Sequence, residues 1–432
     1  MSQSLKVVIV GAGLGGLACA IACRRQGLQV VLLERAPQIL PIGAGIQVPP
    51  NASRALQRLG LLERVREKGT QLESITVRRY QDGSLLCEKM ASKIGDEDLG
   101  LPWVVIHRAD YHEILVNEAK ALGVDVRLGV EVEKIDFEST TLHVKGEDDI
   151  KGDVMVGADG LWSSIRDSLL GFPSPPTPTG DLAYRGTFSL DQLLALGDPN
   201  LEALCKKKTQ TIWFGPNKHV VFYPIRRGTE FNMVLLCADD LPPDTKTMEG
   251  DIGEMRASFE GWDPILTKII TCIPSVLKWK LCHHEELPTW TKNCTALLGD
   301  ACHPTLPYQA QGAAMAINDG CVLGKLLGSY NHSIQSQPTQ LSSTHNIPSL
   351  LQLYERLRKS RTTLNVRGAI RNQHFYHMPD GEEQRRRDEQ LKSTEWKGLR
   401  DEYSFVDTDY QKDLLGEDAI GNAEKAFKEW LA

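Results

Sequence analysis

Lys6-Val7-Val8-Ile9-Val10-Gly11-Ala12-Gly13-Leu14-Gly15-Gly16 stands almost at the start of the chain, and its reading decides the fold. Five apolar-rich residues of buried-strand type run straight into G-x-G-x-x-G. Leu14–Gln26 then has helical apolar spacing, Gly27 ends it, and Gln29–Glu34 (QVVLLE) reads as a second strand. This is a βαβ unit. One glycine makes the strand-to-helix turn, one lets backbone approach a pyrophosphate, and one lets helix and strand pack closely. The helix N-terminus offers unpaired N–H groups and partial positive charge to phosphates. Glu34, closing the second strand, is placed to accept the hydroxyl protons of an adenosine ribose, with Arg35 beside it. The plainer reading of Glu34 is a solvated charge at a strand end. Gly11, Gly13, Gly16, Glu34 and Arg35 are therefore the first candidate cofactor residues.

Outward from that unit, bulk properties remove several classes of function. The 432 residues are 41% apolar and 24% charged with net charge −7, ordinary for a globular protein and unsuited to a nucleic-acid surface. Ten cysteines are scattered without a C-x-x-C pair, so neither a disulfide framework nor a structural zinc site is expected, and no metal is assigned. No apolar stretch approaches the ~20 residues of a membrane span. The amino terminus enters its first strand without a signal-peptide pattern, so a cytoplasmic protein, monomer or homodimer, is expected.

Farther along lie two more turn motifs. Gly157-Ala158-Asp159-Gly160-Leu161-Trp162-Ser163-Ser164-Ile165-Arg166 follows an apolar strand and fits D-G-x-x-S-x-x-R. Ser163 is placed to cap the next helix, Arg166 to pair with Asp159 or a phosphate. Asp159 and Gly160 form a turn whose backbone amides can face an anion, which makes Asp159 a further candidate cofactor residue; alone the motif would be a capped Asp-Gly turn. Gly299-Asp300-Ala301-Cys302-His303-Pro304, with Pro307 and Gln311-Gly312-Ala313 beyond, follows another apolar strand. Asp300 suits a ribityl hydroxyl, and the helix start at Gly312 suits negative charge on a reduced ring system. His303 has no apparent partner and reads as structural. Between these motifs, Leu182–Phe188, Thr211–Phe214, His219–Ile225 and Phe231–Cys237 are strand-like and separated by Pro/Gly/Asp turns. The expected organisation is a nucleotide-binding part over 1–171, a β-sheet part over 172–287, a return to the first part over 288–330, and an insertion, long helix and tail over 331–432. Ser333–Pro348 reads as a surface loop.

The three motifs in this order resemble the flavoprotein aromatic hydroxylases, FAD-dependent monooxygenases of the p-hydroxybenzoate hydroxylase type. Pro41-Ile42-Gly43-Ala44-Gly45-Ile46 and His107-Arg108-Ala109-Asp110-Tyr111 are similar to the family's flavin-adjacent segments, which adds Gly45 and Arg108. Ala183-Tyr184-Arg185-Gly186, His219–Ile225, Leu306–Met315 and Asn372–His377 resemble the fungal salicylate hydroxylases. The family's usual G-Q-G-x-N is Ala310-Gln311-Gly312-Ala313-Ala314 here, so a side-chain amide at the last position is missing. The resemblance implies an α/β fold, a Rossmann-like FAD-binding domain with an inserted mixed β-sheet substrate domain and C-terminal helices.

It also implies a reaction in which NADH or NADPH reduces FAD, molecular oxygen is captured as a 4a-hydroperoxide, and a small aromatic substrate is hydroxylated. A base near the phenol helps, because the phenolate is the better nucleophile. In a strand, His219, Val221 and Tyr223 share one face. His219 is the candidate base, Tyr223 and Arg185 candidate substrate anchors, and Pro307 the turn residue counted with them. Trp213, Phe222 and Trp290 are read as core. Salicylate, converted to catechol with loss of carbon dioxide, is the expected substrate. A larger phenolic or indole secondary metabolite is the rival, and a flavin dehydrogenase or a non-catalytic dinucleotide-binding module are alternatives of other classes.

Overall fold

The computed structural model describes residues 4–40, 43–336, 342–393, 403 and 405–432. Pro41 and Ile42 of the flavin-adjacent segment, and 337–341 of the expected loop, lie outside them.

Lys6–Val10 sits inside a six-stranded sheet, parallel to Gln29–Glu34 on one side and Val154–Gly157 on the other. Asp125–Leu128 and Thr295–Leu297 extend it in parallel, and the short Thr291–Lys292 closes one edge antiparallel. Covered faces explain the unbroken apolar runs. Val7 and Ile9 point into the main core beneath the helices, whereas Val8 and Met155 meet Ile135, Leu142 and Ile150 of a small antiparallel sheet on the opposite side.

The helix Leu14–Arg25 packs along Gly312–Ser336 at unusually short range. Gly320, Gly324 and Gly328 recur every four residues. Side chains there would bring Cβ to 2.6 Å from Cys19 N, 2.5 Å from Ala22 Cβ and 2.4 Å from Gln26 Cβ respectively. Gly312–Ser336 runs past position 333, so its last turn occupies the start of the expected loop.

The second sheet has eight strands in the order Thr247–Gly250, Val276–His283, Thr177–Ser189, Glu230–Ala238, Lys218–Ile225, Thr209–Gly215, Ser74–Arg79, Leu85–Met90. The last two come from a stretch with no clear pattern in the sequence, and Ser74–Arg79 joins by parallel pairing with Thr209–Gly215. One face buries Tyr184, Trp213, Val220, Phe222 and Leu235 under Phe259, Trp262 and Leu266. Trp213 donates to Asp263 at 2.8 Å. Trp213, Phe222 and Trp290 are each about 1% exposed, so they are core. The other face carries His219, Val221, Tyr223 and Arg185 toward the first sheet. The long helix Ile347–His377 crosses both units. The charged tail folds back as Glu382–Ser393, Thr408–Gly416 and Ala419–Leu431. No helix among the described residues is long and apolar enough to cross a membrane.

Gly320→Ala tests the tight helix pair. Helix propensity alone favours alanine by about 1 kcal/mol. A Cβ at 2.6 Å from the Cys19 backbone nitrogen cannot be relieved by a rotamer change, so overpacking of about 1–3 kcal/mol is expected to win. A lowered urea midpoint is the expected result; a raised one would mean that the helices have slack.

Candidate active site

The nucleotide turn shows two different uses of glycine. Gly11 has φ +108°, and a Cβ there would lie 2.3 Å from Ala158 O; one on Gly16 would lie 2.0 Å from Gly11 O. These two are required by the protein's own packing. A Cβ on Gly13 would meet nothing within 4 Å. Gly13 is the N-cap of a 12-residue helix and supplies no side-chain cap. Glu34, at the adjoining strand end, accepts from Ala12 N and Ala36 N at 2.9 Å each, and each oxygen keeps a second acceptor direction. His112, without any sequence signal, bonds Ala12 O at 2.7 Å and so braces the same loop. Arg35 is exposed just past the strand.

The second motif folds onto itself. Asp159 accepts from Ser163 Oγ at 2.6 Å and Ile165 N at 3.2 Å, while Ser163 accepts from Arg166 N at 2.9 Å. The expected Arg166–Asp159 pair is not formed. Arg166 is buried and donates instead to Leu161 O at 3.0 Å and Ala301 O at 3.4 Å, tying the second motif to the third. Asp159 is occupied as a helix cap and its carboxylate does not reach the cavity; its neighbours Ala158 and Gly160 do.

At the third motif, Asp319 has no exposed surface and accepts from Gly299 N at 3.0 Å, from Arg358 Nε at 2.8 Å and from His303 Nε2. Burial would raise this carboxyl, but His303 and Arg358 prevail and bring it to about 2. Glu417 takes Arg358 Nη1 at 2.7 Å. His303 therefore has its partner 16 residues on, two turns inside the next helix. Asp300 opens onto the cavity; withdrawal from bulk water raises its carboxyl, with His303 and Arg108 opposing.

Two connected cavities lie between the sheets. The inner one, about 420 Å³, is bordered by Gly13, Gly16, Gly45, Arg108, Arg185, Tyr223, Asp300, Gly312 and Ala313. The outer one, about 360 Å³, is walled by Ile75, Trp103, Ile212, Tyr376, Phe405 and Leu415, with Lys89, Gln210 and Asn372 as polar points. His219 and Pro307 border both. Gly11, Glu34, Arg35 and Asp159 lie outside these walls. A Cβ on Gly45 would come within 2.6 Å of the Tyr223 ring, and Gly45 N donates to Asn232 Oδ1 at 2.7 Å. Hence the flavin-adjacent strand is locked to the substrate sheet through a buried amide that sequence reasoning had no reason to select.

Electrostatics differ between the cavities. Burial lowers the Arg185 guanidinium, which has no acidic partner among the described residues; Tyr223 counteracts this and Arg108 adds to it. Burial raises the Tyr223 phenol, with Arg185 opposing. Lys89 donates to Phe405 O at 2.5 Å and lies 3.8 Å from the Phe405 ring centroid; burial brings its amine down to about 7.

The residues fit an FAD. There is space in front of a helix N-terminus at Gly13 and an acceptor pair at Glu34. Thr305 Oγ1 and Gln311 Nε2, in side chains bordering the inner cavity, are buried without a partner among the described residues. Residues 4–336 match the FAD binding domain family, so the chain belongs to the FAD-dependent monooxygenases of the aromatic hydroxylase type. It is 40% identical to the FAD-dependent monooxygenase OpS4 of Beauveria bassiana, over 98% of this chain and 97% of that protein. It is 33% identical to the 6-hydroxynicotinate 3-monooxygenase of Pseudomonas fluorescens, over 77% of this chain and 86% of that one. A salicylate hydroxylase solved with its substrate shares the fold, with TM-score 0.77, 24% identity and 98% of each chain covered.

The two glycines separate cofactor room from protein packing. Gly13→Ala is expected to fold with a near-normal melting temperature and to lose most of its visible flavin absorbance after desalting. Gly16→Ala is expected to lose stability with or without FAD. Equal FAD retention by Gly13→Ala and wild type would refute the assignment of that space to the pyrophosphate.

Proposed function

We propose that this aromatic hydroxylase acts on a phenolic acid, with NADH or NADPH as reductant, and that salicylate, converted to catechol and carbon dioxide, represents its substrate class. The observation that carries the reading is the position of His219: among the described residues it is the one titratable side chain bordering both cavities. The inner cavity suits the flavin ring and, beside Arg185 and Tyr223, the substrate's reacting ring, while the outer one leaves room beyond it, so a group on the shared wall meets the hydroxyl next to the reacting carbon. Bound FAD, once reduced, supplies the activated oxygen that enters the aromatic ring.

The protein's own residues do the rest. The Gly13 turn and Glu34 hold the dinucleotide's pyrophosphate and ribose, Asp300 its ribityl chain, and the amides at Gly312 and Ala313 face developing negative charge. Arg108 adds positive charge at the same wall. His219 takes the phenol proton, which raises the electron density of the ring. Arg185 pairs with Val234, which pairs with Val221 on the strand of His219. The Arg185 and His219 backbones are thus roughly 10 Å apart across the sheet and 7 Å along it, a span their side chains close onto one small ring. Arg185 is the counter-charge for a carboxylate, and Tyr223, four residues from His219 on the same strand, orients the ring from the far end.

Loss of the carboxyl requires oxygen to enter at the carbon that bears it. The name 6-hydroxynicotinate 3-monooxygenase puts oxygen at ring carbon 3, the carboxyl-bearing carbon of nicotinate, which supports that regiochemistry in the family. The outer cavity, about 360 Å³ and mainly apolar, favours as a second reading a phenolic acid larger than salicylate. The ten free cysteines fit a reducing compartment such as the cytoplasm.

Carboxyl-labelled salicylate and larger ortho-hydroxy acids are the assay. One labelled carbon dioxide per oxygen consumed supports the proposal; hydroxylation with the carboxyl retained, or peroxide alone, refutes it. Oxygen uptake coupled to product also separates a hydroxylase from a flavin dehydrogenase. Arg185→Met should raise KM at least tenfold with kcat little changed, as for a uniform binding contact. Asp300→Ala should retain the fold and weaken FAD by a factor of about 5–150, the equivalent of ~1–3 kcal/mol for an unpaired hydroxyl.

A further inference from the structure

We propose that His377, on the last turn of the long C-terminal helix, receives through His219 the proton that the substrate phenol gives up, with Asp181 holding the resulting charge. The inference rests on the reading of His219 as the base.

His219 Nδ1 lies 2.7 Å from His377 Nε2, although 158 residues separate them. Both rings are buried, 2% and 8% exposed. Burial pushes His219 well below its usual range, and His377 adds to this; burial and Arg387 bring His377 to about 4. Each ring is therefore neutral near pH 7 and carries one proton, so in their shared hydrogen bond one donates and the other accepts. His219 Nε2 has no hydrogen-bond partner among the described residues, and the ring borders both cavities. If Nε2 is to accept a phenol proton, the His219 proton must sit on Nδ1 and be donated to His377 Nε2. The His377 proton then sits on its own Nδ1, which is 3.6 Å from Asp181 Oδ2.

The tautomers are thus set end to end. As the phenol O–H breaks, an N–H forms at His219 Nε2. The Nδ1–H of His219 then breaks as an N–H forms at His377 Nε2. What remains is a phenolate, a neutral His219 and an imidazolium at His377. That cation lies beside the carboxylate of Asp181, which also accepts from Gln373 at 2.7 Å and from the Tyr308 hydroxyl. Burial raises the Asp181 carboxyl while those two donors lower it. The other titratable groups around the pair are Tyr308 and Tyr376, with ring centroids 5.1 and 5.0 Å from that of His219, and Arg387, which opposes charge at His377. Moving the charge one ring outward takes it from the more deeply buried histidine to the one next to an acid.

A purely structural His377 needs only to accept a hydrogen bond, and glutamine does that. H377Q keeps an acceptor for His219 Nδ1–H but cannot take the proton. The FAD-loaded enzyme, without reductant, is titrated with 2-hydroxy-5-nitrobenzoate bound, and the nitrophenolate absorbance is followed against pH. The wild type should ionise the bound probe at a lower pH than free solution does. H377Q and H219Q should each raise that midpoint by a unit or more, and D181N should raise it by less. Probe affinity above the phenol's own pKa should stay within about twofold of wild type. In turnover, H377Q should lose about tenfold in kcat at pH 7 and regain it as pH approaches the substrate's pKa, with KM little moved. An unchanged midpoint and pH profile in H377Q, alongside a shifted H219Q, would overturn the relay and leave His377 an orienting group. A wild type that ionises the probe but hydroxylates no phenolic acid would refute the substrate reading alone, since the midpoint still reads the relay.

Discussion

Asp319 is a carboxylate with no access to water, and an ion in that position costs several kcal/mol unless its neighbours satisfy it. Three donors do so, from two distant parts of the chain: the Gly299 amide and His303 from one turn, and Arg358 from the long C-terminal helix. The arrangement leaves little freedom. Removing Arg358 would strand a buried negative charge, and shifting the helix that carries Asp319 would break its bond to the Gly299 turn. Asp300, the residue after Gly299 in that turn, is consequently held at the cavity wall by side chains, Asp319, His303 and Arg358, that do not border the cavity. Glu417 extends the same network to the C-terminal segment.

Around that anchor, two kinds of packing set the distances in the site. The glycines of Gly312–Ser336 let the helix lie close against Leu14–Arg25, so the two helix N-termini that border the inner cavity approach it from fixed positions. Gly45 lets the flavin-adjacent strand press against Tyr223 and Asn232, so the substrate sheet is registered to the nucleotide unit by contact. Arg166 adds a third tie between the two later turns. Preorganisation of this kind is what a cofactor enzyme contributes, because the cofactor brings the reactivity and the protein brings position.

Much of this was legible in the chain because it is local. Strand, glycine turn, helix and Glu34 lie within thirty residues, and the period-two rule put His219, Val221 and Tyr223 on one wall without knowledge of their neighbours. The burial of Trp213 and Trp290 followed from the habits of large apolar rings. Long-range pairings left no such trace. Nothing in Ser74–Arg79 announces a parallel partner at Thr209–Gly215, and nothing in His303 announces Asp319 and through it Arg358. Asp159 is ambiguous for the opposite reason: the same residue types serve an anion-binding turn and an ordinary capped helix, and only the positions of Ser163 and Ile165 show its carboxylate engaged in capping.

The helix Thr408–Gly416 supplies Thr408, Asp409, Gln411, Lys412 and Leu415 to the outer cavity, and none of these borders the inner one. Selection can therefore act on the two compartments separately. Substitutions along one short peripheral helix alter the wall of the outer cavity, while the wall of the inner one stays as it is. A lineage built on this plan has an inexpensive route to new aromatic substrates: it can diversify at its carboxyl end and keep the same oxygen chemistry at its amino end.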